Sequence, residues 1–260
     1  MITETSIKIG HIPCLAVTPS DTVKAVILFY HGWSSAKEAQ SLRARILAAC
    51  GYAVIVPDAL RHGERGYADY TDELSYALFW EAVLTSLAEA SQLAAYAQTK
   101  WPGVKRFAAG HSMGGITALG VVMAEEDIAG AVSMNGSGWW NESDRRFRAA
   151  WKISWRPFFA EMIGRINRAD PYNRPEALRR KSVLLLNGGA DDVVDNAAQA
   201  MYADRLSSEH IDAEHIVYDG LGYFVTTNRW ATPSRGWTGT YEKSCISMFL
   251  HMEIQLYILL

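Results

Sequence analysis

The chain reads as an α/β fold, a mostly parallel central sheet with helices on both faces. Three observations predict it. Apolar runs recur along the sequence with helix-patterned segments between them. Most of those runs are continuous rather than alternating, the pattern of strands covered on both faces. Finally, 260 residues at 49% hydrophobic content supply one sizeable core, so a single domain over residues 1–260 is expected.

Taken in order, Ser6 to Ile9 and Pro13 to Thr18 predict an antiparallel hairpin at a sheet edge. Strands are expected at Ala25 to His31, Ala53 to Asp58, Arg106 to His111, Gly130 to Asn135, Ser182 to Gly188 and Glu214 to Asp219. Helices fill the gaps at Ala36 to Ala49, Asp72 to Thr99, Gly115 to Glu125 and Ala197 to Ser207, each with apolar residues at helical spacing. Between Gly136 and Lys181 the rhythm breaks into a segment rich in Trp and Arg. An insertion at that point of such a sheet lies over the C-terminal strand edge, where ligands bind, so residues 137–180 are expected to form a small helical cap. Arg179-Arg180-Lys181 reads as a solvated helix end. There is no internal repeat and no low-complexity linker.

Composition excludes several classes of partner. The formal net charge of -3, with both signs interspersed, offers neither a basic face for nucleic acid nor a polybasic membrane anchor. Cys14, Cys50 and Cys245 stand at unrelated spacings, which suggests neither a disulfide framework nor a zinc site. The first ten residues lack the charged and apolar blocks of a signal peptide, and the apolar run Ile254 to Leu260 is too short to span a bilayer. The expected location is the cytoplasm. Residues 229–260 form an atypical tail: Arg229 to Gly239 is rich in Gly, Pro, Ser and Thr where a closing amphipathic helix is normal. The tail either packs in an unusual place, such as against another copy in a homo-oligomer, or has diverged.

The strongest chemical signal is Gly110-His111-Ser112-Met113-Gly114, set between a predicted strand and a predicted helix. A serine on such a sharp turn projects its hydroxyl above the sheet, and the flanking glycines keep side chains out of the crowded bend. That context outweighs the alternative of a serine capping the helix that begins at Met113. His31-Gly32-Trp33 ends an earlier strand, where a turn can aim the Trp33 amide at a developing oxyanion beside the Met113 amide. The His31 imidazole is expected to do a structural job. Asp191, at the tip of the strand ending near Gly188, stands where an acid belongs in the order Ser, Asp, His; Asp192 and Asp195 are its rivals.

These motifs, together with Val26 to Ser35, Pro57 to Arg65 and Asn187 to Val194, resemble small bacterial carboxylesterases of the α/β-hydrolase superfamily, in its prolyl-oligopeptidase-like and dienelactone-hydrolase-like branch. The resemblance covers about Ser6 to Phe224 and implies hydrolysis of short-chain acyl or acetyl esters of small molecules, without metal or organic cofactor. It places the nucleophile on Ser112, the acid on Asp191 and the oxyanion amides on Trp33 and Met113. Three departures stand out. Asn187 replaces a histidine before the acid, Asp195 replaces a proline, and the catalytic histidine is expected where the sequence has Tyr223. A phenol of pKa near ~10 is a poor base at neutral pH. His62 is the most credible substitute, with His251 behind it, while His11, His31, His111 and His215 read as structural and His210 lies at the opposite edge. The rival to an esterase is an impaired hydrolase scaffold that binds small molecules or regulates. Trp139, Trp140, Trp151, Trp155, Phe158 and Phe159 either wall an acyl pocket or form the core of the cap.

Overall fold

The computed structural model describes residues 1–70 and 75–223. The tail at 229–260, with His251 and Cys245, therefore lies outside the described residues, as does the start of the helix predicted from Asp72.

Eight strands form one sheet: β1 (Ile2–Ile9), β2 (Ile12–Pro19), β3 (Ala25–Tyr30), β4 (Tyr52–Pro57), β5 (Arg106–His111), β6 (Ile128–Met134), β7 (Ser182–Gly188) and β8 (Ala213–Tyr218). Their order is β1-β2-β4-β3-β5-β6-β7-β8. The β1–β2 hairpin sits at one edge and joins β4 antiparallel, and every later pair is parallel. This is the α/β sheet the sequence predicts, with a longer hairpin than Ser6 to Thr18 implies. The connecting helices are α1 (Ser41–Ala49), α2 (Tyr76–Lys100), α3 (Met113–Ala124), α4 (Trp140–Ala150), α5 (Phe159–Ala169) and α6 (Ala197–Ser208). The segment before α1 winds as a 3-10 turn, Lys37–Gln40, rather than as the first turn of an α-helix.

Why the strand runs are continuous is plain from the burial. Alternate side chains of β3 point to opposite faces. Val26, Leu28 and Tyr30 join one core with Leu93 of α2, Leu119 of α3 and Tyr202 of α6, while Ile27 and Phe29 join a second with Leu47 of α1. A third cluster unites Phe79 and Trp80 of α2 with Met113 of α3, Trp140 of α4 and Phe159 of α5, and Trp33 and Tyr223 pack against it. Each fully buried side chain of this size contributes about 1.5–3 kcal/mol by leaving water.

Residues 137–180 carry α4 and α5. The buried Asp170 carboxylate accepts the Trp140 and Asn141 amides at 3.0 and 2.8 Å, satisfying the orphan donors at the start of α4. Arg165 of α5 pairs with Glu81 of α2. The aromatic residues divide: Trp140 and Phe159 are buried, Trp139 stacks on Tyr172, and Trp151, Trp155 and Phe158 are exposed. Lys181 is not a solvated helix end. Its ammonium donates to the Val122 and Glu125 carbonyls and so caps the C-terminus of α3.

At the C-terminal strand edge, the turns after β3 and β4 are joined by a fully buried ion pair, Lys37 Nζ to Asp58 Oδ2 at 2.8 Å, with Asp58 also accepting the Lys37 and Glu64 amides. Removing one partner leaves an uncompensated buried charge. Lys37→Met is expected to lower the unfolding free energy by about 3–5 kcal/mol, and adding Asp58→Asn, which removes the charge but keeps an acceptor for the Lys37 amide, to recover part of that loss. Urea titrations of the three chains test this; equal loss in single and double variants contradicts it.

Candidate active site

Ser112 links β5 to α3 with φ 56 and ψ -119, a conformation that costs a side-chain-bearing residue about 1–3 kcal/mol. The turn is held from several directions. The Ser112 amide donates to the Met134 carbonyl at 2.8 Å, and the Ser112 carbonyl accepts from Ile116 at 3.0 Å. A Cβ at Gly114 would overlap the Tyr30 carbonyl oxygen, and one at Gly110 would overlap the Gly114 carbonyl, so both glycines are sterically required. The Ser112 side chain makes no capping bond to α3. It stands close enough to the Tyr223 phenol to pull that group's pKa down.

Tyr223 follows β8 and is half-buried; burial pushes its phenol above the ordinary value, and the Asp191 charge acts in the same direction. Asp191 follows β7 through Gly188-Gly189-Ala190. Its Oδ1 accepts the Val193 and Val194 amides at 2.9 Å each, whereas its buried Oδ2 has no partner among the described residues. Its rivals face elsewhere: Asp192 is exposed, and exposed Asp195 accepts the Ala197 amide ahead of α6 and pairs with Arg146 of α4. The structure thus brings Ser112, Tyr223 and Asp191 together from the ends of three strands.

The turn after β3 reaches the same place. A Cβ on Gly32 would stand 3.7 Å from the Ser112 Cβ, so the Gly32–Trp33 peptide lies beside Ser112. Among the described residues the Trp33 amide has no acceptor, and the Met113 amide opens α3, where no intrahelical acceptor exists. The Trp33 indole packs against His62, Tyr70 and Phe79.

His62 is occupied as well as near. Its Nδ1 donates to the Leu60 carbonyl at 2.8 Å and its Nε2 accepts the Ser34 amide at 3.2 Å, so it has no nitrogen left for Ser112. His31 is likewise bonded at both nitrogens, and His11, in the turn between β1 and β2, pairs with Glu89 of α2. His215 faces Asn187, which fills the position of the histidine the resemblance leads one to expect.

Two participants carry no obvious sequence signal. Asn135, buried at φ 46, donates through Nδ2 to the Tyr223 carbonyl at 2.7 Å and accepts the Gly188 amide on Oδ1 at 3.3 Å, tying the end of β7 to the Tyr223 turn. An asparagine directly before Gly136 at a strand end was the available hint, since Asn tolerates positive φ. The His111 ring stands 5.2 Å from the Tyr223 ring, and burial drives its own pKa down to about 4.

Comparison with known proteins follows from this geometry. Residues 21–171 match the family described as serine aminopeptidase, S33. The chain is 33% identical over 202 residues to esterase YjfP of Escherichia coli (strain K12), covering 75% of this chain and 80% of that one. Among solved structures, TT1662 from Thermus thermophilus superposes with a TM-score of 0.70 at 22% identity, covering 87% of this chain and 92% of its own. A cold-adapted esterase from an Arctic intertidal metagenomic library gives 0.60 at 15% identity, covering 85% of each. The latter two likenesses bear on the fold.

Burial raises the Asp191 carboxyl above its ordinary value. A folded-state pKa above the unfolded one makes the native state bind the proton more tightly, so the group favours folding below the ordinary carboxylate pKa and loses that contribution as pH rises through the folded value. Asp191→Asn keeps an acceptor for Val193 and Val194 without the charge. Relative to that variant, the native chain is expected to lose unfolding free energy between about pH 4 and about pH 7. Urea titrations at both values decide it, and a constant gap contradicts it.

Proposed function

We propose, from the premise that the chain belongs to the serine aminopeptidase S33 family of α/β-hydrolases, that it cleaves carboxylic esters of small molecules, of the short-chain acyl or acetyl kind, through an acyl-enzyme on Ser112. The observation that carries this reading is the strained serine turn between β5 and α3, with Ser112 beside Tyr223 of the turn after β8. In this mechanism the Ser112 oxygen attacks the carbonyl carbon as its proton passes to solvent water, and the Trp33 and Met113 amides hold the oxyanion of the tetrahedral intermediate. Collapse expels the alcohol, and water later releases the acid. Residues 137–180 act as the cap over the acyl side of the site, with the third apolar cluster as its floor. No metal or organic cofactor is invoked.

Tyr223 occupies the place of the base. In a complete triad the imidazole takes the serine proton and returns it to the leaving oxygen. A phenol raised above its ordinary pKa is protonated at neutral pH and does neither. Esters with acidic alcohols suffer least, because their alkoxide or phenoxide departs without a proton, whereas alkyl esters need one. The phenol standing beside Ser112 in place of an imidazole also favours the second reading, a hydrolase scaffold that binds ligands with turnover suppressed.

Among the described residues no helix is long and apolar enough to cross a membrane.

Steady-state hydrolysis of an aryl acetate by the native chain, Tyr223→His and Ser112→Ala tests the assignment. Tyr223→His is expected to raise kcat by about 10²–10⁴-fold, the range for a positioned acid–base group, with Ser112→Ala at background. A native chain already as fast as the histidine variant contradicts the placement of the base.

A further inference from the structure

Two buried histidines contribute neither nucleophile nor base, yet they make four hydrogen bonds to the main chain around the Trp33 amide. His31 Nδ1 donates to the Gly32 carbonyl at 2.8 Å while its Nε2 accepts the Ala59 amide at 3.0 Å. His62 Nδ1 donates to the Leu60 carbonyl at 2.8 Å while its Nε2 accepts the Ser34 amide at 3.2 Å. Each ring is therefore a neutral Nδ1–H tautomer, and each tautomer is dictated by a main-chain partner. The rings stand 5.2 Å apart.

The atoms they hold matter. The Gly32 carbonyl and the Trp33 N–H belong to one peptide group, and in a trans peptide they point in opposite directions. Anchoring the carbonyl on His31 therefore aims the N–H the other way, and a donor on the oxygen polarises the N–H further. The Gly32 carbonyl also accepts the Ser35 amide at 3.3 Å, closing a tight turn in which Ser34 takes φ 59. A positive φ at that position is ordinarily given to Gly or Asn. The His62 bond to the Ser34 amide supports the serine there, and the stacking of His62 on Tyr70 and its edge contact with Trp33 fix the ring.

We infer that His31 and His62 are a paired positioning device for the oxyanion-binding peptide Gly32–Trp33: His31 sets the direction of the Trp33 N–H, and His62 holds the strained Ser34 that follows it. The role rests on the reading of Trp33 as an oxyanion donor. Burial keeps both rings in the neutral form the bonds require, lowering His62 to about 4, against the opposing pull of Asp58 on both and of Glu38 on His31. This explains why His62 is not available as a base.

The test measures the rate at which an activated aryl alkylphosphonate modifies Ser112 in the full chain, since the phosphoryl oxygen occupies the oxyanion site. Beside it, hydrogen exchange is read at the Ser34 amide. His62→Leu removes the acceptor and is expected to slow labelling about tenfold, less than the loss of an entire oxyanion donor, and to expose the Ser34 amide to exchange. His62→Gln, whose side-chain oxygen reaches the Nε2 position, is expected to restore both. Should His62→Leu not fold, His31→Gln, which keeps an acceptor for Ala59 and loses the donor to Gly32, carries the same expectation for labelling. A folded His62→Leu labelled at the native rate with Ser34 still protected overturns the inference. If the native chain resists the phosphonate altogether, the esterase reading falls and exchange alone decides the device: protection lost in His62→Leu and regained in His62→Gln upholds it, unchanged protection overturns it.

Discussion

The left-handed backbone at Ser112 is the constraint around which this molecule is assembled. For the chain to reverse there, α3 must start within contact distance of the end of β3, and only glycine at 110 and 114 leaves room for the Tyr30 and Gly114 carbonyls. The bend is stabilised from the neighbouring strand by the Met134 carbonyl and from within α3 by Ile116. Because α3 is then pressed against the sheet, its residues from Met113 to Met123 are buried, and the helix serves as the central pillar between two of the apolar clusters. The strain at one residue is thus offset by a large share of the core.

The loops at the same sheet edge are tied to one another rather than merely adjacent. Lys37 and Asp58 join the turns after β3 and β4, His31 holds the Gly32 carbonyl while His62 holds the Ser34 amide, and Asn135 grips both the end of β7 and the Tyr223 turn. The histidine and Asn135 ties are polar groups satisfied by main-chain partners, and Asp58 accepts two amides besides the Lys37 ammonium, which makes each tie costly to break and directional. Against that background the buried Asp191 Oδ2 stands out, with no partner among the described residues.

Much of this was legible in the sequence because it rests on local rules. Continuous apolar runs such as Val26 to Phe29 mark strands covered on both faces, and the Gly110 to Gly114 pentad states its own geometry. The order of Ser112, Asp191 and residue 223 along the chain was readable for the same reason. Less legible were contacts that only the tertiary structure creates. Nothing local shows that Asn135 at positive φ will reach the Tyr223 carbonyl, or that Lys181 will cap α3 instead of ending its own helix. His62 invited a catalytic reading because its sequence neighbours place it at the right edge; only the bonds to Leu60 and Ser34 show that both nitrogens are committed. The aromatic residues after β6 divided between core and surface, a distinction that helical periodicity in so short a segment does not make.

The central claim is that a competent nucleophile and oxyanion site stand beside a position that has lost its proton carrier. Its most direct test is the intact mass of the native chain during exposure to an aryl acetate, followed by peptide mapping. The account predicts one acetyl group, on Ser112, that persists long after the reagent is removed, because deacylation needs a base to activate water. An unmodified protein that meanwhile turns over the ester rapidly, or acetylation confined to other residues, would contradict it.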